Sequence, residues 1–284
     1  MIEVSNLRFR YDGAADLTVR GISFEIEKGE IFGFLGPSGA GKSTTQNILV
    51  GLLKGWEGSV RVEGKPLTDW GGEYNERIGV SFELPNHYSK LTARENLEFF
   101  RALYAGETSS PEEVLGLVGL SDDIDKPAGE FSKGMKNRLN FARSLLNKPG
   151  LWFIDEPTSG LDPVLARHIR DVVRNQKDRG ATTFVTTHDM ATADAICDRV
   201  AFMVDGELAV IDSPEALRHH YGKREVEIEW SDNDRKESRR FPLDGLGEQA
   251  EFQRILREEH ILSIHSLETT LEDVFVQVTG RGLG

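Results

Sequence analysis

Residues 36–44 (GPSGAGKST) constrain this chain more than any other stretch, because Gly36, Gly41, Lys42 and Ser43 fit the pattern of a nucleotide-phosphate cradle. Gly36, Gly39 and Gly41 let the backbone bend so that successive N–H groups, including those of Ser38, Ala40 and Thr44, point at phosphates. Lys42 has the reach to meet β and γ oxygens, and Ser43 offers its hydroxyl to a magnesium ion. A plain Gly-rich turn, even one containing Pro37, needs no Lys-Ser pair. Residues 30–35 (EIFGFL) read as a strand buried in a parallel sheet, and residues 42–53 (KSTTQNILVGLL) follow with helical spacing. The loop is thus expected at a helix N-terminus, whose dipole favours anions. Strand, glycine loop and helix in this order predict an α/β nucleotide-binding fold of the P-loop type.

Two further strand ends add chemistry. Residues 151–154 (LWFI) read as a buried strand that runs into Asp155 and Glu156. An aspartate there can hold Mg²⁺ directly or through water, and Glu156 can orient and deprotonate a water for attack on a γ-phosphate. Without the cradle, two such acids would equally well cap the next turn. Residues 181–187 (ATTFVTT) form a third β-rich segment ending at His188 and Asp189, which places the histidine beside the same site. A lone histidine in that position is more often structural. Between these strands lies FSKGM (131–135), with Ser132 as N-cap of a helix over 136–146 whose Leu139, Ala142, Leu145 and Leu146 share one face. Ser159, Gly160, Leu161 and Asp162 then lead into another helix beginning near Asp162.

A length of 284 residues allows one large domain with a small appendage. The net charge of -13 argues against general nucleic-acid binding, and Cys197, being alone, excludes an internal disulfide. Nothing in residues 1–30 resembles a signal peptide, and no apolar run approaches the length of about 20 residues that spans a bilayer. A chain that does not itself cross a membrane is expected.

In this order the motifs resemble those of the ATP-binding subunit of ABC transporters, over residues 1–221. GPSGAGKST looks like Walker A, FSKGM like the family signature, LWFIDE like Walker B with its catalytic glutamate, SGLD like the D-loop and His188 like the switch histidine. The resemblance implies ATP and Mg²⁺ as cofactors, with Lys42, Glu156 and His188 in catalysis and Ser43 and Asp155 at the metal. Tyr11 matches the adenine-stacking aromatic. Two departures stand out: Lys133 and Met135 replace glycine and glutamine of the usual LSGGQ, and Glu83 occupies the Q-loop position where glutamine is usual. Glu83 is carried over as a nucleotide and metal contact that adds charge.

The family builds each site from two subunits. A homodimer or heterodimer of ATPase subunits is therefore implied, with Ser132, Gly134 and Asp162 acting across the interface. A separately encoded transmembrane permease is implied as partner, contacting residues 82–96, and so is a cytoplasmic place on the inner face of the membrane. A helical subdomain is expected at about 84–148.

Residues 222–284 read as a small α+β accessory domain. Val226, Ile228 and Trp230 alternate as in a one-faced strand, residues 231–240 (SDNDRKESRR) read as a turn or solvated loop, and Phe252, Ile255 and Leu256 suit an amphipathic helix. A strand over 261–265 follows, then a last helix carrying Leu271, Val274, Phe275 and Val278 behind a Thr269/Glu272 capping box. The ending TTLEDVFVQVTG is similar to the tails of ATPases serving drug-efflux and polysaccharide exporters, including the daunorubicin-resistance type. Export is favoured over import, against the alternative of a translation factor or DNA-repair ATPase of the same family.

Overall fold

The computed structural model describes residues 1–84, 86–222, 225–232, 235–267 and 269–282. The chain divides into two compact units, Met1–Pro214 and Glu215–Arg281. Strands of the first unit are β1 (Ile2–Phe9), β2 (Val19–Ile26), β3 (Ile31–Leu35), β4 (Glu57–Val62), β5 (Lys65–Pro66), β6 (Ile78–Ser81), β7 (Leu151–Asp155), β8 (Thr182–Thr187), β9 (Arg199–Val204) and β10 (Glu207–Asp212). Its helices are α1 (Lys42–Leu49), α2 (Glu73–Arg77), α3 (Ala93–Arg101), α4 (Pro111–Leu117), α5 (Lys133–Arg143), α6 (Pro163–Asp178) and α7 (Met190–Ile196).

Two sheets pack face to face. An antiparallel sheet of order β2-β1-β4-β5 covers a six-stranded sheet of order β10-β9-β3-β8-β7-β6, parallel except at the β10 edge. Burial follows the role of each strand. β3, β7 and β8 are buried at every position, as strands covered on both faces must be, whereas β1 and β2 alternate because one face is solvated. Phe24 of β2 meets Phe32 and Phe34 of β3 and Phe184 of β8, and Phe153 of β7 packs against Phe184, so aromatic rings fill the space between the sheets. Burying a side chain of this size removes about 1.5–3 kcal/mol of apolar exposure, which makes this layer the main anchor of the parallel strands.

Register then places the chemistry. Leu35 pairs Thr187, Asp155 pairs Thr186 and Ser81 pairs Ile154, so β3, β6, β7 and β8 end along one edge of the sheet. The segments leaving that edge are the glycine loop, the Glu83 loop, the Asp155–Glu156 pair and His188. The carboxyl edge of a parallel sheet is where open α/β folds bind ligands.

The helical segment is well punctuated. Thr92 with Glu95 and Ser110 with Glu113 form capping boxes for α3 and α4, and Ser132 Oγ accepts from Met135 N at the start of α5. α5 therefore starts at Lys133, earlier than the sequence pattern indicated, because the cap and not the apolar stripe sets the start. Leu139, Ala142, Leu145 and Leu146 are all buried, although the last two lie beyond the helix end. α1 ends at Leu49 and not at Leu53, since Gly51 turns left-handed with φ of 80°.

The second unit carries α8 (Pro214–Tyr221), β11 (Glu225–Asp232), β12 (Arg235–Pro242), α9 (Ala250–Glu258), β13 (His260–Leu267) and α10 (Leu271–Thr279). The three strands form an antiparallel sheet of order β12-β11-β13, and Val226, Ile228 and Phe241 cluster with Phe252 and Ile255 of α9. Three readings need correction. Residues 231–232 and 235–240 are strand and not loop, while residues 233–234, in the same expected loop, lie outside the described residues. The charge that read as solvated loop belongs to an edge strand, where Lys236 pairs Glu229 and Arg240 pairs Glu227. The last helix is capped one residue later than expected, by Thr270 with Asp273 in place of Thr269 with Glu272, and Leu256 is exposed.

Candidate functional site

The glycine loop is shaped by its neighbours. A Cβ on Gly36 would stand 2.0 Å from the Met203 carbonyl oxygen, and Gly41, at φ of 107°, has only 2.8 Å to the Thr18 carbonyl oxygen. No other residue fits either position, so the loop is moulded against the chain segments at 18 and 203. From Gly41 the chain enters α1, whose N-terminal peptide groups face the loop. Lys42 is buried and curls back over the loop, donating from Nζ to the carbonyl oxygens of Gly36 at 2.7 Å and Pro37 at 3.0 Å. One ammonium proton is left over for a phosphate oxygen. Burial lowers the Lys42 pKa, while Glu156, Asp155 and Glu83 oppose that shift.

Those three carboxylates therefore lie within electrostatic reach of the loop. Asp155, at the end of β7, is buried and accepts hydrogen bonds from the hydroxyls of Thr186 and Ser43. Burial raises its pKa, and the negative charges of Glu156 and Glu83 push the same way against the two hydroxyl bonds. Thr186 also meets Gln46 Oε1 at 3.2 Å, which ties β8 and α1 to the aspartate.

Glu156 sits in the left-handed region at φ of 50°, a costly conformation for a residue with a side chain. Its N–H donates to Thr186 O at 2.9 Å. Its carboxylate accepts from His188 N at 3.0 Å, pairs with His188 Nδ1 at 2.7 Å and accepts from Thr187 Oγ1 at 2.9 Å. Glu156 and His188 thus form one unit that bridges the ends of β7 and β8. Glu83 is exposed in the loop after β6, directed to the site by charge and not by a hydrogen bond among those described.

Tyr11 stands at the loop's other side, 43% exposed, with its ring edge-on to Phe9 at 4.9 Å and its hydroxyl 3.1 Å from Thr44 Oγ1. Ser132 and Asp162 are exposed and serve locally as helix caps, Asp162 accepting from the N–H groups of Val164 and Leu165. Gly134 lies against Leu161 and the Gly160 carbonyl, so FSKGM and SGLD are neighbours. The structure gathers Gly36 to Thr44, Glu83, Asp155, Glu156 and His188 at one edge; Ser132, Gly134 and Asp162 form a second group. Sequence reading missed Thr186 and Thr187, whose only advance signal was a run of threonines at the end of a strand that should be wholly apolar, and Gln46 of α1, which carried no signal.

A phosphate loop on a helix N-terminus, a buried lysine across it and an acid pair on the neighbouring strand end define a P-loop nucleoside-triphosphatase site. Comparison with known proteins narrows this. Residues 19–159 match the ABC transporter family and residues 224–268 the fluoroquinolone efflux ABC transporter C-terminal domain. A fluoroquinolones export ATP-binding protein of Mycobacterium tuberculosis is 55% identical over 100% of this chain and 94% of its own length. The bacitracin transport ATP-binding protein of Bacillus licheniformis is 34% identical, covering 92% of each. Among solved structures, an ATP-binding subunit of an ABC transporter superposes with a TM-score of 0.70 at 29% identity, over 78% of this chain and 93% of its own. A dimeric ATP-binding cassette bound to ADP and Pi gives a TM-score of 0.68 at 28% identity, over 75% and 98%. The chain belongs to the ABC transporter family as an ATP-binding, ATP-hydrolysing subunit.

Proposed function

We propose that this cassette drives export of aromatic drugs of the fluoroquinolone class, acting as a pair beneath a separately encoded membrane permease at the cytoplasmic face of the membrane. The observation that carries the catalytic part is the Glu156–His188 unit set beside Lys42, Ser43 and Asp155 at one sheet edge. The relatives' names and the match of residues 224–268 support the cargo class. No helix among the described residues is long and apolar enough to cross a membrane, in keeping with a separate permease.

The residues divide the work. The 36–44 backbone and Lys42 hold the β and γ phosphates, and the Tyr11 ring, braced by Phe9 and Thr44, stacks on adenine. Ser43, Asp155 and Glu83 supply hard oxygen donors that suit Mg²⁺, which takes one or two carboxylates together with phosphate and water. Among the described residues no group of three or more His, Cys, Asp or Glu forms a self-sufficient metal site, and a nucleotide-bound Mg²⁺ requires none. When bound, the ion neutralises charge on the transferring phosphoryl group. Glu156 accepts the proton of the attacking water while His188 fixes its carboxylate and faces the γ-phosphate. Ser132 and Asp162, both exposed, and the half-buried Gly134 complete the partner's site in a head-to-tail pair.

The exposed apolar side chains Leu84, Tyr88, Phe99 and Leu103 beside the Glu83 loop give the permease a docking face. Residues 222–284 act as an accessory domain for pairing, so deleting 224–284 should preserve ATP affinity and weaken recovery of the permease. The overall reading is tested by purifying the chain from membranes with its partner and measuring ATP-dependent fluoroquinolone transport in vesicles. ATPase activity that neither needs a membrane subunit nor responds to one would overturn it.

A further inference from the structure

The loop after β6 is fastened to α5 by a set of bonds that the nucleotide chemistry leaves unexplained. Asn140 is buried and donates from Nδ2 to Ser81 Oγ at 3.2 Å and to the Phe82 carbonyl at 2.7 Å. Arg143, one turn on, donates from Nη1 to the Asn86 carbonyl at 3.0 Å and from Nη2 to Asn140 Oδ1 at 2.6 Å. Its guanidinium lies 4.6 Å from the centre of the Phe100 ring on α3. His87 Nε2 meets the Lys136 carbonyl at 2.9 Å. The loop is thus held on both sides of Glu83.

Arg143 makes no ion pair with a carboxylate among the described residues, and burial lowers its pKa. An arginine placed there for charge would have an acid beside it. This one uses its planar fork to join a carbonyl, an amide and a ring, a geometry that a lysine cannot reproduce. The other end of the same helix carries Ser132 and Gly134, and in its middle Asn137 Nδ2 donates to the Ser159 carbonyl at 3.2 Å. At 1.5 Å per residue, the 11 residues of α5 span roughly 16 Å as one rigid rod.

We propose that Asn140 and Arg143 are positioning residues that clamp the Glu83 loop to α5 and so hold Glu83 at the nucleotide site. The inference rests on the placement of Glu83 in the nucleotide site. Opening the clamp leaves the phosphate loop and Tyr11 untouched, so ATP is held as before while turnover falters.

The test is a cycle of ATPase kinetics on the full chain. Asn140→Ala and Arg143→Lys should each lower kcat by about three- to tenfold with KM for ATP within about twofold, and the double variant should lose little more than either alone. In a Glu83→Ala background, Asn140→Ala should add almost nothing, because the loop no longer carries the group that the clamp positions. A full additional loss in that background overturns the proposal, as does an unchanged kcat in Arg143→Lys or a loss of kcat in either single variant that is matched by a fall in Tm. If Glu83→Ala itself leaves kcat unchanged, the placement of Glu83 is what fails, and the clamp falls with it.

Discussion

Replacing Glu156 by glutamine removes one function and spares the rest, and the local geometry indicates why. Oε1 accepts from both His188 N and Nδ1, and Oε2 accepts from Thr187 Oγ1. A glutamine can keep its carbonyl oxygen on the histidine and turn its amide toward Thr187, whose hydroxyl can accept as well as donate. Folding should therefore change by less than about 1 kcal/mol, the worth of one rearranged neutral hydrogen bond. The proton acceptor is lost outright. General-base catalysis of this kind contributes about 10²–10⁴-fold, equivalent to roughly 2.7–5.4 kcal/mol of barrier. Lys42, Ser43 and Tyr11 are untouched, so ATP binding should persist and dimers should accumulate with ATP. Phosphate release under single-turnover conditions, nucleotide titration and sizing with and without ATP measure the three quantities. Hydrolysis at the unaltered rate would refute the assignment of Glu156 as base, and lost ATP binding would mean that the Glu156–His188 unit shapes the phosphate site itself.

Lys42→Ala should weaken ATP binding by about 10- to 100-fold, the range for losing a charge-assisted hydrogen bond, as read by nucleotide titration. Glu83→Gln should be tolerated, whereas Glu83→Ala should reduce permease-stimulated ATPase more than basal ATPase; equal losses would remove the coupling role. Asp155→Asn should abolish hydrolysis yet raise the nucleotide-free Tm by roughly 2–4 °C at pH 8. The Asp155 pKa is raised in the folded chain above its unfolded value, so the native state holds this proton more tightly and the group's contribution falls as pH rises through the folded pKa. The gain from asparagine should fade below that pKa, and an equal gain at every pH in thermal melts would contradict the account.

The phosphate cradle, the acid pair and the histidine were legible in the sequence because each hangs on a strand end, and buried parallel strands announce themselves as short apolar runs. The supports were not. Thr186 reaches Asp155 only because β7 and β8 align in register, and Asn140 reaches Phe82 from 58 positions further along the chain. Neither residue type carries a local pattern that says which carbonyl or carboxylate it will meet. In the second unit the failure was different: the alternation of β11 was plain, but its partner β12 has only Phe241 buried and shows six exposed residues in a row, so no period marks it as strand. Its order comes from the backbone ladder to β11 and from cross-strand ion pairs, neither of which leaves a hydrophobic trace. What the sequence alone exposes is thus the set of groups proposed to touch nucleotide, while the set that positions them depends on strand register and helix packing. The threonine-rich end of β8 marks where these two sets meet. Thr186 and Thr187 hold Asp155 and Glu156 respectively, so β8 fixes both the proposed metal-side acid and the proposed base, and displacing it would disturb the two together.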